Sequence, residues 1–289
     1  MPSPRLAVLL STLALALVAG ACGGDDEPSG SADSAATPAA NACSSPDQLA
    51  LQRPGKLTIG TDKPAFPPYF EDDDPTNGKG FESAVAYAVA AELGFSPDDV
   101  EWVTVPFNSS YAPGPKQFDF DINQISITPP RAKQVDFSDP YFTAPQAVVA
   151  LKSSDAAKAT DLPGLKDAKL GVQVGTTSLD AVQDSIDPSS DPQVFNDSND
   201  TVRALKTKRV EAIVVDLPTA FFLTAAEIPE AKIVGQFAAP GGDDWGLLLQ
   251  KGSKLTPCVN QALDELRSRG TLQDLQDRYM GGNAAPDLN

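Results

Sequence analysis

Short apolar runs alternate with helical periods along most of this chain. The stretch KLTIGTD (Lys56 to Asp62) has the continuous apolar character of a buried strand. GFESAVAYAVAAELGF (Gly80 to Phe95) repeats apolar residues at helical spacing and stops near Gly94, predicting an amphipathic helix. DVEWVTVPF and FDFDINQISI predict two further strands, and Thr128-Pro129 has the residues of an N-cap and first helical position. Gln146 to Lys152 again reads as a strand, which completes a strand–helix–strand series. The cycle then restarts. It has a strand at Lys169 to Val174, a Gly175-Thr176-Thr177 loop and a helix, and then a helix, a strand at Ala212 to Val215, Asp216 and another helix. AKIVGQF and WGLLLQK follow as strands, and two helices broken at Gly270 close the chain. Two successive α/β series of about a hundred residues each predict two lobes, each a mostly parallel sheet flanked by helices.

Composition narrows what such a chain can do. It has 289 residues, 41% of them hydrophobic, enough for one large or two mid-sized domains with a real core. The net charge of −17 supplies no basic face for phosphate, so nucleic acid is not expected as a partner. Histidine is absent, which excludes Ser-His-Asp and Cys-His catalysis and argues against a zinc site. No metal or cofactor is expected.

The N-terminus changes the picture again. One arginine, an apolar run from Leu6 to Ala19 and a small-residue end mark residues 1–21 as a secretory signal, too short for a membrane span. Leu17 to Cys22 resembles a bacterial lipobox, with Cys22 as the lipidated first residue; ordinary cleavage nearby is the alternative. Residues 22–46, rich in Gly, Ser, Ala, Asp and Pro, read as a flexible tether from the outer face of the cytoplasmic membrane. With Cys22 carrying lipid, Cys43 and Cys258 remain. In an oxidising compartment they form a disulfide or stay as two thiols.

Three places could hold a ligand, each at a strand end or helix start, where open α/β sheets bind. Arg131 sits in the first turn of a helix, the less favoured end for a cation. With Ser126 and Thr128 it offers a planar fork for a carboxylate; pairing with Asp136 or Asp139 is the alternative. The Gly175-Thr176-Thr177 loop precedes a helix with a Thr177–Asp180 capping box, and its N–H groups either bind an anion or simply cap. Asp216, after an apolar strand, either receives an ammonium group or caps the next helix. Phe66 and Tyr69 supply an apolar wall or belong to the core. A fork for an anion from one series and an acid for a cation from the other describe a zwitterion pocket bridging two lobes.

Five segments in order, IGTD…FPPYF, GFESAVAYAVAAELG, FDFDINQISITPPRAKQVDFSDPYF, LKDAKLGVQVGTTS and VEAIVVD, resemble the bacterial extracellular solute-binding proteins of family 3. That family comprises amino-acid receptors of ABC importers with the type II periplasmic-binding-protein-like fold and a two-stranded hinge. The resemblance implies lobe 1 at residues 54–145 and 245–280, and lobe 2 at residues 146–244. It implies that Arg131, helped by Ser126, Thr176 and Thr177, takes the ligand α-carboxylate and that Asp216 takes the α-ammonium group. Phe66 would stack on the ligand, and Asp62 stands where receptors for basic amino acids place a side-chain acid. Asn123 and Gln124, where small residues are usual, would make the side-chain pocket smaller or more polar; the extra residue in Lys63-Pro64-Ala65 and the Pro/Gly-rich Tyr111 to Gln117 also touch specificity. The implied partners are an amino acid and a membrane permease, with the receptor itself a monomer. A dehydratase acting on carboxylated cyclohexadienes, with Glu82, Asp62 or Lys63 as acid, or a ligand sensor, are the alternatives on the same fold.

Overall fold

Alternating apolar runs assemble into two five-stranded sheets, and the chain passes between them twice. The computed structural model describes residues 43–281 and 284–289. The signal segment, Cys22 and most of the tether lie outside the described residues. The first sheet contains β1 (Leu57–Thr61), β2 (Val100–Thr104), β3 (Phe120–Asp121), β4 (Val135–Thr143) and β10 (Asp244–Gln250), in the order β2-β1-β3-β10-β4. The second contains β5 (Gln146–Leu151), β6 (Leu170–Gln173), β7 (Gln193–Phe195), β8 (Ala212–Asp216) and β9 (Ala231–Phe237), in the order β7-β6-β8-β5-β9. In each sheet one strand runs against the rest: β10 is antiparallel to β3 and β4, and β5 to β8 and β9. Both sheets are therefore mixed, though mostly parallel. The two odd strands are the ones the chain enters as it crosses over. The crossovers are bonded to each other, with Ala144 N–H donating to Asp243 O at 2.9 Å. This is the expected two-lobed α/β architecture.

Both faces of each sheet are covered, which is why β1 and β5 are buried along their whole length. On the first sheet α1 (Phe81–Glu92), α7 (Thr256–Ser268) and α8 (Thr271–Tyr279) enclose a core including Leu57, Ile59, Phe81, Val85, Trp245 and Leu263. The second sheet is packed by α4 (Thr177–Ala181), α5 (Ser198–Lys206) and α6 (Leu217–Phe222), with apolar clusters on its two faces. A disulfide joins Cys43 to Cys258, 215 positions apart, and pins the first described residue to α7. Among the described residues no helix is long and apolar enough to cross a membrane.

The chain departs locally from the sequence pattern. The run FDFDINQISI pairs only at Phe120–Asp121, because Gln124 takes φ 48° and turns the chain out of the strand. The helix after Thr128 is a single turn, α3 (Pro129–Ala132), and the polar-looking stretch beyond it is the nine-residue strand β4. Its buried positions, Val135, Ser138 and Tyr141, do not alternate strictly, which hid it from the period-2 test. Tyr111 to Gln117 follows a further short helix, α2 (Phe107–Ser110).

β3 carries an acid where its neighbours are apolar. Asp121 is fully buried, lies over Gly60 of β1, and neither carboxyl oxygen has a hydrogen-bond partner among the described residues. A side chain at position 60 would displace that carboxyl and crowd Phe118 and Val105, so glycine lets the acid sit against β1. Burial, then the negative Glu82 and Asp62, push the Asp121 carboxyl well above the carboxylate range. A raised folded-state value means the folded chain holds this proton more tightly than the unfolded chain. Stability is thus fully present below the unfolded value near pH ~3.9 and declines as pH rises from there toward the folded value. Asp121→Asn removes the ionisation at nearly constant volume. It should raise stability by about 1–3 kcal/mol at pH 8, with the gain shrinking toward pH 4. Thermal melts of both proteins across that range check this; an equal loss of stability at every pH would contradict it.

Candidate functional site

The carboxyl ends of β1, β6 and β8 and the single-turn helix α3 converge on one cavity between the sheets. From the first lobe Asp62, Phe66, Asn123, Ser126 and Arg131 line it; from the second, Thr176, Thr177 and Asp216 do. Thr128 does not line the cavity. It caps α3 instead, its Oγ1 accepting from Arg131 N–H at 3.4 Å.

Arg131 is buried, yet no acid pairs with it in the way the intrachain alternative requires. Asp136 pairs with Lys251 at 3.0 Å, and Asp139 N–H donates to Asn260 Oδ1 at 2.9 Å. The guanidinium is held by neutral acceptors: Nη1 donates to Ser126 O at 2.8 Å and Nη2 to Gly175 O at 2.9 Å. Its flat face rests on the Tyr111 ring, 4.7 Å from the centroid, and on Phe107 at 5.5 Å. Two acceptors use two of the five guanidinium N–H donors, leaving the others to meet an anion.

At the second lobe's loop, Thr176 rather than Thr177 is the cap of α4, its Oγ1 accepting from Leu179 N–H at 3.3 Å. The Thr177–Asp180 capping box does not form. Thr177 Oγ1 is free of that duty and instead lies 3.2 Å from Ser126 Oγ across the lobes.

Asp216 starts α6 without capping it. One carboxyl oxygen accepts from Gln146 Nε2 at 2.8 Å, and Gln146 Oε1 in turn accepts from Ser178 Oγ at 2.6 Å. That chain of bonds fixes the carboxyl at the cavity wall. Burial first, opposed by Gln146 and reinforced by Asp243, raises it to about 7. Such an acid is poised to ionise when a cation arrives.

Tyr69 belongs mostly to the core, edge-on to Trp245 at 5.6 Å, and its hydroxyl meets Thr219 Oγ1 of the second lobe at 2.8 Å. Phe66 is half-buried on the cavity wall. Asp62 accepts N–H bonds from Lys63 at 2.7 Å and Phe107 at 3.0 Å. Its carboxyl is nevertheless raised, by burial first, with the negative Asp197 of the second lobe adding to the shift. Asn123 is buried at the wall with its Nδ2 unpartnered among the described residues.

Several cavity or supporting residues carried no sequence motif. Gln173 ends β6, and Asp197, Ser198 and Thr201 open α5; the Asp-Ser-Asn-Asp run there is a cap signature that could have drawn notice. Gln146 and Tyr111 act through Asp216 and Arg131; Gln146 gave no signal beyond its strand, and Tyr111 stood out only as the start of a Pro/Gly-rich stretch. Glu82 is sealed behind the wall. It accepts from Gln124 N–H at 2.7 Å and from the Tyr141 hydroxyl and Gln124 Nε2, and burial raises it to about 7. Holding both ends of Gln124, it maintains that residue's left-handed backbone.

The family model for bacterial extracellular solute-binding proteins, family 3, matches residues 57–282. The arginine-binding extracellular protein ArtP of Bacillus subtilis (strain 168) is 30% identical over 253 residues, which span 84% of this chain and 93% of that protein. A solved ancestral arginine-binding protein bound to arginine is 34% identical with a TM-score of 0.67, covering 78% of this chain and 98% of its own. An ancestral amino-acid-binding protein described as a precursor of cyclohexadienyl dehydratase is 29% identical with a TM-score of 0.64, covering 78% and 95%.

Proposed function

This chain belongs to the bacterial extracellular solute-binding proteins of family 3, and from that premise we propose that it captures a polar amino acid with a cationic side chain and delivers it to an ABC permease. The observation that carries this reading is that a buried guanidinium from the first lobe and a half-buried carboxyl from the second line one cavity. Arg131, with Ser126, Thr176 and Thr177, grips the α-carboxylate, and Asp216 receives the α-ammonium group. Asp62 and Asp197, an acid from each lobe at the same cavity, attract the side-chain cation, and Phe66 offers it a flat apolar face. Asn123 adds a donor at the wall. The arginine-binding relatives support the cationic side chain.

Residues 54–145 with 245–280, and residues 146–244, move as two bodies about the paired crossovers, and only the closed form lets the ligand touch both. The protein works as a monomer outside the cytoplasmic membrane, tethered through lipid on Cys22. It is a receptor and not an enzyme in this reading: of the three nominated groups Glu82 does not line the cavity, Lys63 lines it but is paired with Asp73, and Asp62 lines it and is assigned to the ligand side chain.

Calorimetric titration with L-arginine, L-lysine, L-histidine and L-glutamine tests the proposal. Arginine or lysine should bind tightest, and a correctly folded protein that binds no amino acid would reject it. Because Asp216 must ionise to hold a cation and is raised to about 7, binding near pH 6 should release a proton. Affinity should be about tenfold weaker at pH 6 than at pH 8, and the apparent enthalpy should depend on buffer ionisation. Asp216→Asn should bind weakly at both values and lose that dependence. Turnover of arogenate or prephenate to an aromatic product would favour the enzyme instead.

A further inference from the structure

One point on the second lobe is touched by two side chains of the first. Gly175 O accepts from Arg131 Nη2 at 2.9 Å, and the same carbonyl lies 3.2 Å from the Tyr111 hydroxyl, which donates to Asn108 Oδ1 at 2.6 Å. Gly175 itself has φ 73°, and a Cβ there would collide with Asn108 Oδ1 and the Tyr111 hydroxyl. The α2 segment of the first lobe therefore forms a seat shaped to a bare glycine of the second. The ring of Tyr111 is at the same time the nearer of the two faces on which the Arg131 guanidinium rests.

We propose that Tyr111 is a positioning residue that joins ligand grip to lobe closure: its ring braces the carboxylate-binding guanidinium of Arg131, and its hydroxyl, with Asn108, seats Gly175 of the opposite lobe. The second half of this statement stands on geometry alone; the first rests on the proposed role of Arg131. A guanidinium free to swing loses its alignment with a carboxylate, and a lobe without its seat reopens sooner. Both effects act after encounter, so they fall on dissociation rather than association.

The test compares wild type, Tyr111→Phe and Tyr111→Leu, each first shown by its melting curve to be folded. Stopped-flow kinetics with L-arginine and small-angle scattering of the unliganded proteins are the two measurements. Tyr111→Leu, which removes brace and seat, should raise the dissociation rate about tenfold with association changed less than about twofold. It should also enlarge the unliganded radius of gyration. Tyr111→Phe keeps the ring and should fall between wild type and Tyr111→Leu. If Tyr111→Leu leaves both dissociation and the unliganded size unchanged, or weakens binding through association alone, the proposal is overturned. If wild type binds no amino acid while Tyr111→Leu still expands the free protein, the ligand reading fails and the seat survives.

Discussion

Replacing Arg131 by alanine should weaken amino-acid binding by roughly 10²- to 10³-fold or more. The guanidinium is buried, has no acid paired with it among the described residues, and spends two donors on the carbonyls of Ser126 and Gly175. Its remaining donors face a cavity that supplies the negative charge only when a ligand enters. Truncating one partner of a desolvated, hydrogen-bonded charge pair costs about 2–5 kcal/mol, much of it because the other charge is left unmet. Arg131→Lys should not restore binding. A single ammonium cannot keep both carbonyl contacts and present a two-pronged fork to a carboxylate, and it loses the flat face that rests on Tyr111. Calorimetry on both variants, with melting curves as the folding control, decides the matter. Near-normal affinity in Arg131→Ala would remove the carboxylate from this position.

Breaking the Cys43–Cys258 bridge should cost a large share of the domain's stability. The two cysteines are 215 positions apart, so the bridge closes nearly the whole domain into a loop in the unfolded state. The chain-entropy relation puts the stabilisation at about 5 kcal/mol for a loop of this length, an upper value where the unfolded chain keeps residual order. In a domain of this size that corresponds to a fall in melting temperature of roughly 10–20 °C. Both sulfurs are buried against the first lobe's core, so a Cys43→Ala/Cys258→Ala variant also frees the segment whose Leu49 and Leu51 pack there. Ligand affinity should change little, since neither residue lines the cavity. Scanning calorimetry with and without reductant reads the effect, and a melting point moved by less than a degree would refute it.

How legible the molecule was depended on the range of the forces involved. The helix at Phe81–Glu92 and the strands at β1, β5 and β8 were visible because burial on one or both faces writes a local period into the residues. Strand β4 was not, because what makes Ser138 a buried position is a partner 109 residues away: its hydroxyl accepts from Leu247 N–H. The capping box at Thr177–Asp180 satisfied every local rule and still did not form. The chain enters α4 one residue earlier, and Thr177 points across the cleft.

The cation in the first turn after Thr128, the −17 charge, the absence of histidine and the twice-repeated strand and helix order are properties of the sequence by itself. They determined a two-lobed α/β protein, with an arginine and an aspartate as candidate places for an anion and a cation. Only the tertiary structure decided that Gln146 aims Asp216, that Glu82 is walled off behind Gln124, and that Tyr111 seats Gly175. Each of those contacts joins residues 42 to 70 positions apart, whose approach depends on how the elements of two sheets pack. A local pattern registers which face of an element avoids water. It carries no record of which polar atom waits on the far side of a cleft.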